Sequence, residues 1–198
     1  MGTAGLEFRD VYNEFHEKLN RYLERIVGKN DAEDLTQEVL LKINKGLQDF
    51  KGKSTLSTWV YRIATNAAVD KMKSRSCREG RETVTLEEIS REPENRCAEE
   101  GSLSAEREAI RNEMNECIQE FVDKLPTDYR VVILLSERKD LRNQQIADIL
   151  GISLDAVKIR LHRARASLKA EFEARCDFYH DEGGKLACDR KKRPKEAK

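Results

Sequence analysis

The chain has 198 residues, of which 37 are Lys or Arg and 37 are Asp or Glu, so its formal net charge is zero. That balance excludes a simple polycation, and any affinity for a polyanion must come from local segregation of charge. With 38% hydrophobic residues and a mean hydropathy of −0.74, the chain suits one domain or two small helical ones, and no apolar run approaches the ~20 residues of a membrane span.

The first ten residues carry no secretory core, which with the absence of a membrane span predicts a cytoplasmic protein without membrane insertion. Five scattered cysteines in that reducing compartment argue against a structural disulfide framework. Residues 5–27 predict an amphipathic helix, with Phe8, Val11, Tyr12, Phe15, Leu19, Tyr22, Leu23 and Ile26 at helical spacing and Gly28 ending it. Asn30 and Glu33 have capping-box spacing and open a second helix. Its inward stripe is Leu35, Val39, Ile43 and Leu47. Residues 50–54 form a basic turn. Ser54 or Ser57 then caps a third helix running to about residue 76. Leu56, Trp59, Val60, Ile63 and Ala67 face inward, and Arg62, Asn66, Lys71, Lys73 and Arg75 face out. Trp59 falls on the apolar stripe and reads as core. Residues 1–76 thus make a first helical domain.

Composition shifts at Cys77. Residues 77–104 are rich in Glu, Arg and Ser, lack an apolar stripe, and predict an acidic flexible linker. Helix resumes near Ala105 through Ile110, Met114, Cys117, Ile118 and Phe121, and Leu125-Pro126 breaks it. Thr127 caps the next helix, which turns Val131, Val132, Leu134 and Leu135 inward. Residues 105–175 form the second domain, and residues 176–198 a tail ending in a basic run. No period-2 run of any length occurs, so the fold predicted is all-α with little or no sheet.

The second domain ends in a recognisable arrangement. Asn143 can cap a short helix with Ile146, Ala147, Ile149 and Leu150 inward. Gly151 supplies a tight turn. Ser153 caps a following helix whose Val157, Leu161, Ala164 and Leu168 form a buried stripe, while Lys158, Arg160, Arg163, Arg165 and Lys169 lie largely elsewhere. A short helix, a turn and a basic amphipathic helix make a helix-turn-helix, whose second helix enters a DNA major groove.

Two separated blocks now point one way: residues 31–39 with Phe50-Lys51-Gly52 and residues 57–70, and then Leu125-Pro126 through Arg165. Together they resemble bacterial sigma factors of the extracytoplasmic-function (ECF) class, which keep only the second and fourth conserved sigma domains. The resemblance implies core RNA polymerase and promoter DNA as partners, with an anti-sigma factor as a further one. It places Asp34, Leu35, Gln37 and Glu38 on the polymerase clamp. It places Lys51, Lys53, Ser54 and Thr55 in the loop that holds a base flipped from the −10 element, with Arg62, Asn66 and Lys73 along the helix beside it. Lys158, Ile159, His162 and Arg163 take the positions that face the −35 groove, and Arg160 and Arg165 those suited to phosphates or to the domain's own packing.

The tail departs from the family pattern. If helix continues past Arg175, Cys176 and His180 share a face. Gly183-Gly184 then lets Cys188 turn back, and Cys117 or Cys97 can complete a set for zinc, another metal or a redox switch. The alternative is a set of unliganded thiols, since there is no close CxxC pair. No other cofactor is implied. A stand-alone helix-turn-helix regulator has no need of the first block, and a recombinase needs a nucleophile motif that is absent.

Overall fold

A computed structural model of the chain describes residues 7–79, 117–180, 184 and 186–191. Helix α1 (Phe8–Val27) ends at Gly28, whose φ of 89° lets the chain turn straight into α2 (Lys29–Gly46). A 3-10 turn (Leu47–Asp49) and a short loop lead to α3 (Leu56–Glu79). The second set comprises α4 over residues 117–123, α5 (Thr127–Ser136), α6 (Asn143–Leu150) and α7 (Leu154–Arg175). Strands β1 (Cys176–His180) and β2 (Leu186–Arg190) close the described chain.

The apolar stripes of α1, α2 and α3 meet in one core. Phe15, Leu19, Leu23, Val39, Ile43, Val60, Tyr61 and Ala64 are all at most 1% exposed, and each large side chain so removed from water contributes about 1.5–3 kcal/mol before entropy is counted. The Tyr22 hydroxyl is paired with Thr65 Oγ1 at 2.8 Å, and burial pushes its pKa well up, so it stays neutral. Asp31 at the start of α2 meets Lys71 at 3.0 Å and Arg75 at 3.2 Å on α3. The Lys71 hydrogen bond holds the Asp31 carboxyl below its usual range. This tie is therefore present above the ordinary carboxylate pKa and is lost as pH falls through the depressed one. Trp59 is half-buried, packed on Phe50 with ring centroids 5.2 Å apart and against Gly46, where a Cβ would stand 3.1 Å from the indole.

Several caps differ from the sequence reading. Helix α2 begins at Lys29, so Asn30 lies within its first turn and makes no cap. Gly52, at φ 66°, turns the basic loop early enough to bring Thr55 to the cap of α3. Thr55 Oγ1 accepts from the Thr58 N–H at 3.2 Å, in place of Ser54 or Ser57. Pro126, not Thr127, precedes α5, and Arg142, not Asn143, precedes α6. The Gln145 side chain closes that end by accepting from the Arg142 N–H at 2.8 Å. Helix α3 also runs on to Glu79, into residues assigned to the linker. The rest of that linker, residues 80–104 with Cys97, lies outside the described residues, as do residues 105–116 and 192–198.

The tail is the larger correction. Helix stops at Arg175, and Cys176–His180 pairs antiparallel with Leu186–Arg190, with Phe178 opposite Cys188. Aromatic Phe178 and Tyr179 suit a strand, and Gly184 at φ 72° serves the turn.

The two helical sets touch. Arg25 on α1 bonds Gln119 at 2.7 Å and Glu137 at 2.5 Å. Arg130 on α5 donates to the Ile26 carbonyl at 3.1 Å, to the Leu125 carbonyl at 3.2 Å and to the Asp123 carbonyl, so one guanidinium neutralises the C-terminal ends of α1 and α4. The Arg138 guanidinium stands 4.6 Å from the centroid of the Tyr61 ring. The Tyr61 hydroxyl is buried without a hydrogen-bond partner among the described residues. Tyr61→Ala should therefore cost about 3–5 kcal/mol in urea unfolding, whereas Tyr61→Phe should stay within about 1 kcal/mol of wild type. A large loss for Tyr61→Phe would show that the hydroxyl is satisfied.

Candidate nucleic-acid interface

The helix-turn-helix forms as its residues dictate. Gly151 takes the left-handed conformation at φ 65° and ψ 33°, and Ser153 Oγ accepts from the Ala156 N–H at 3.1 Å. Val157, Leu161 and Ala164 are buried against the domain. This fixes the rotation of α7 and turns Lys158 and Ile159 to solvent. Ile159 is 49% exposed, one of few large apolar side chains left in water among the described residues. A cation and a branched apolar group side by side suit a base edge and a thymine methyl. Lys158 lies 3.5 Å from Asp155 across an exposed turn, a weak tie. His162 and Arg163 are half-buried on the flank of the same face, and Arg165 is exposed. Arg160 points back to the domain, 3.1 Å from Asp128 on α5, which makes it a packing residue rather than a reader.

In the first domain, Asn66 and Lys73 are exposed on α3, and Arg62, four residues before Asn66 on the same side, is half-buried, its Nε buried without a hydrogen-bond partner among the described residues. Lys51 and Lys53 are exposed in the loop before it, and Ser54 is half-buried. Thr55 is committed elsewhere. Besides capping α3, its hydroxyl pairs with Thr58 Oγ1 at 2.8 Å and receives the Gln145 side-chain amide of α6 at 3.3 Å. Gln145 also reaches Thr58 at 3.3 Å. In this arrangement the helix-turn-helix therefore holds the end of the basic loop.

On α2, Asp34, Gln37 and Glu38 are exposed on one face, but Leu35 is only 2% exposed and belongs to the core. The apolar residue that accompanies the carboxylates is Leu41, 59% exposed and one heptad on from Asp34. The sequence signal for it was present: Leu41 lies outside the Leu35, Val39 and Ile43 stripe. Arg130, Arg138 and Gln145, which join the two helical sets, had no such signal, because long polar side chains on helix surfaces read as solvated.

The tail cysteines divide differently from the sequence reading. Cys117, Cys176 and Cys188 come together, with Cys117 Sγ 3.9 Å from Cys176 Sγ. His180 does not join them. It is exposed at the far end of β1, about 13 Å along an extended strand from Cys176. Among the described residues, no group of three or more His, Cys, Asp or Glu is arranged to hold a metal ion.

With this geometry in place, comparison with known proteins is specific. The sigma-70 region 2 family matches residues 11–77 and the sigma-70 region 4 family residues 115–168. RNA polymerase sigma factor SigZ of Bacillus subtilis is 26% identical over 182 residues, covering 91% of this chain and 96% of its own. ECF RNA polymerase sigma factor SigW of the same species is 29% identical, covering 83% and 88%. The ECF sigma-E factor of Escherichia coli K12 is 28% identical, covering 78% and 80%. Two solved structures share the fold. RpoE of Bartonella quintana, bound to the anti-sigma factor NepR, gives a TM-score of 0.61 at 23% identity over 84% of this chain and 96% of that one. CnrH, in complex with the cytosolic domain of CnrY, gives 0.59 at 22% identity over 87% and 92%.

Sigma-70 region 2 followed by region 4 defines the chain as a sigma-70-type specificity factor of RNA polymerase. Within that class it belongs to the ECF family of sigma factors, which bind core RNA polymerase and promoter DNA and direct initiation. Ser153→Ala should destabilise the second domain by about 0.5–2 kcal/mol through the lost cap. Lys158→Ala, on the open face, should change stability by less than about 0.5 kcal/mol. Denaturant melts of both variants check this, and equal losses would contradict the assignment of Lys158 to a solvent face.

Proposed function

We propose that α7 reads the −35 element through Lys158, Ile159, His162 and Arg163, and that α3 with its preceding loop reads and opens the −10 element through Lys51, Lys53, Ser54, Arg62, Asn66 and Lys73. Asp34, Gln37, Glu38 and Leu41 on α2 meet the polymerase clamp. The observation that carries the reading is the exposed Lys158–Ile159 pair on a helix whose rotation the buried stripe fixes. The chain has no catalytic task of its own and works in the cytoplasm as a dissociable subunit. No helix among the described residues is long and apolar enough to cross a membrane. Two structural relatives are held by other proteins, one by an anti-sigma factor and one by the cytosolic domain of CnrY. An anti-sigma factor that embraces both units is the corresponding partner here.

Geometry adds a requirement. The two promoter elements lie about 25 base pairs apart, which is on the order of 85 Å of duplex. A compact chain of this size is only about 40 Å across. With Gln145 of α6 bonded to Thr55 and Thr58, the two units cannot reach both elements at once. Polymerase must part them, replacing the Arg25–Glu137 and Gln145 contacts and the apolar surface that the two units share with contacts of its own. Free protein should accordingly bind promoter duplex weakly.

Run-off transcription with core polymerase is the direct check, and a yield no greater than that of core enzyme alone would refute the proposal. Arg163→Ala should lower −35-dependent initiation and relax preference at one base position, by about 1–3 kcal/mol for a bidentate guanine contact. Lys169→Ala should weaken binding with less effect on sequence choice. Asp34→Arg and Leu41→Asp should both lose core polymerase in a pull-down while keeping wild-type unfolding curves. Full retention of polymerase by both would remove α2 from the interface.

A further inference from the structure

The cluster beneath the hairpin has no part in reading promoters. It draws one thiol from each of three elements that are far apart in sequence. Cys117 on α4 is 7% exposed and Cys176 on β1 is 3% exposed. Their sulfurs share a hydrogen bond at 3.9 Å and no covalent bond. Cys188 on β2 packs against the same group and is only partly buried. In the hairpin register it lies two residues from Arg190, the partner of Cys176, so it shares that face of the sheet. Phe121 and Phe172 wall the cluster, their rings edge to face at 5.0 Å. Arg190 bonds Glu120 on α4 at 2.5 Å and holds β2 against that helix.

Two buried sulfurs at this separation need about 2 Å of further approach to bond, which side-chain rotation and a small shift of a terminal hairpin supply. We propose that Cys117 and Cys176 are a dithiol–disulfide pair, oxidised by a hydroperoxide through Cys188, which fixes the C-terminal hairpin onto the domain that carries α7.

The Cys188 sulfur, as thiolate, attacks the terminal peroxide oxygen. The S–O bond forms, the O–O bond breaks, and water or an alcohol leaves after taking up a proton. The Cys176 sulfur attacks the resulting sulfenic sulfur, its proton leaves with the departing hydroxide as water, and a Cys176–Cys188 disulfide forms. Cys117 then attacks the Cys176 sulfur, and Cys188 departs as a thiol carrying the Cys117 proton. Overall, two thiols lose two electrons and two protons, and the peroxide is reduced to an alcohol or water plus a second water. A small-molecule thiol reverses the reaction by exchange.

Burial pushes the Cys176 thiol up to about 11 and raises Cys188 as well, with the Arg190 guanidinium partly opposing it at Cys176. Both thiols therefore stay largely protonated at neutral pH. Exchange with an oxidised thiol pool is slow, and the pair answers sustained rather than brief oxidant.

The experiment uses the full chain, reduced, desalted into buffer containing a metal chelator, and exposed to hydrogen peroxide. Free thiols are then alkylated, and the unreduced digest is mapped by mass spectrometry. The expected product is a Cys117–Cys176 linked peptide two hydrogen masses lighter than its parts, with Cys188 alkylated. Its appearance should be slowed in Cys188→Ser and abolished in Cys176→Ser. The oxidised chain should melt at a higher temperature than the reduced one, and dithiothreitol should reverse the shift. Complete alkylation of Cys117 and Cys176 after peroxide would overturn the proposal. So would linkage to Cys77 or Cys97 instead, or zinc that copurifies with the wild-type chain but not with Cys176→Ser. These readouts are covalent and do not depend on promoter activity, so they stand or fall apart from the transcription assay.

Discussion

Helix α3 is packed on two fronts, and the rest of the molecule follows from that. Its inner side, with Val60, Tyr61, Ala64 and Ala68, is sealed by α1 and α2. Its N-terminal end meets α6 of the second unit through Thr55 and Thr58, while Arg138 lies over Tyr61. The first contact is apolar and extensive, and carries the cohesion expected of a domain core. The second joins the two units through a continuation of the same apolar core, with Leu141 and Ile146 buried, and adds long polar side chains at its partly exposed edge. If the second unit departs, α3 keeps the packing of its inner side on α1 and α2, while apolar surface now shared with the second unit is uncovered.

Charge segregation is the second constraint. A chain with no net charge reads a polyanion only if its cations are gathered on the faces that meet it. The buried stripes of α3 and α7 do the gathering. By fixing the rotation of each helix, they decide that Asn66 and Lys73, or Lys158 and Ile159, look outward. The carboxylates of α2, with Leu41 among them, form a face of opposite character on the same small bundle. One domain thus carries an acidic and a basic surface.

The sequence was most legible where a stripe had to be buried or a backbone had to turn. Gly28, Gly151 and the Ser153 cap each act as their residue type requires, and the periodic apolar positions of α1, α2 and α7 are the core. Cap positions were less legible: Thr55 and Ser54 are chemically similar, and Gly52 decides between them by where it bends the loop. Leu35 was carried to the polymerase face by motif matching although its own periodicity assigned it to the core. The hairpin is not legible, because two five-residue strands carry too little alternation to outweigh the charged residues around them. The polar contacts between the two units were not legible. Arg25, Arg130, Arg138 and Gln145 lie on helix surfaces where polar side chains usually meet only water, and only the assembled fold shows what they touch.

The central claim is that two units in contact in the free chain are parted when the chain works. Labels on Lys45 of α2 and Ala166 of α7, both exposed and outside the proposed readers, report the separation directly by energy transfer or dipolar spectroscopy. In the free protein the distance should be short and narrowly distributed. On assembly with core polymerase and promoter DNA it should lengthen by tens of ångströms, toward the on-the-order-of-85 Å spacing of the two elements. A distance that stays short in a complex active in initiation would contradict it.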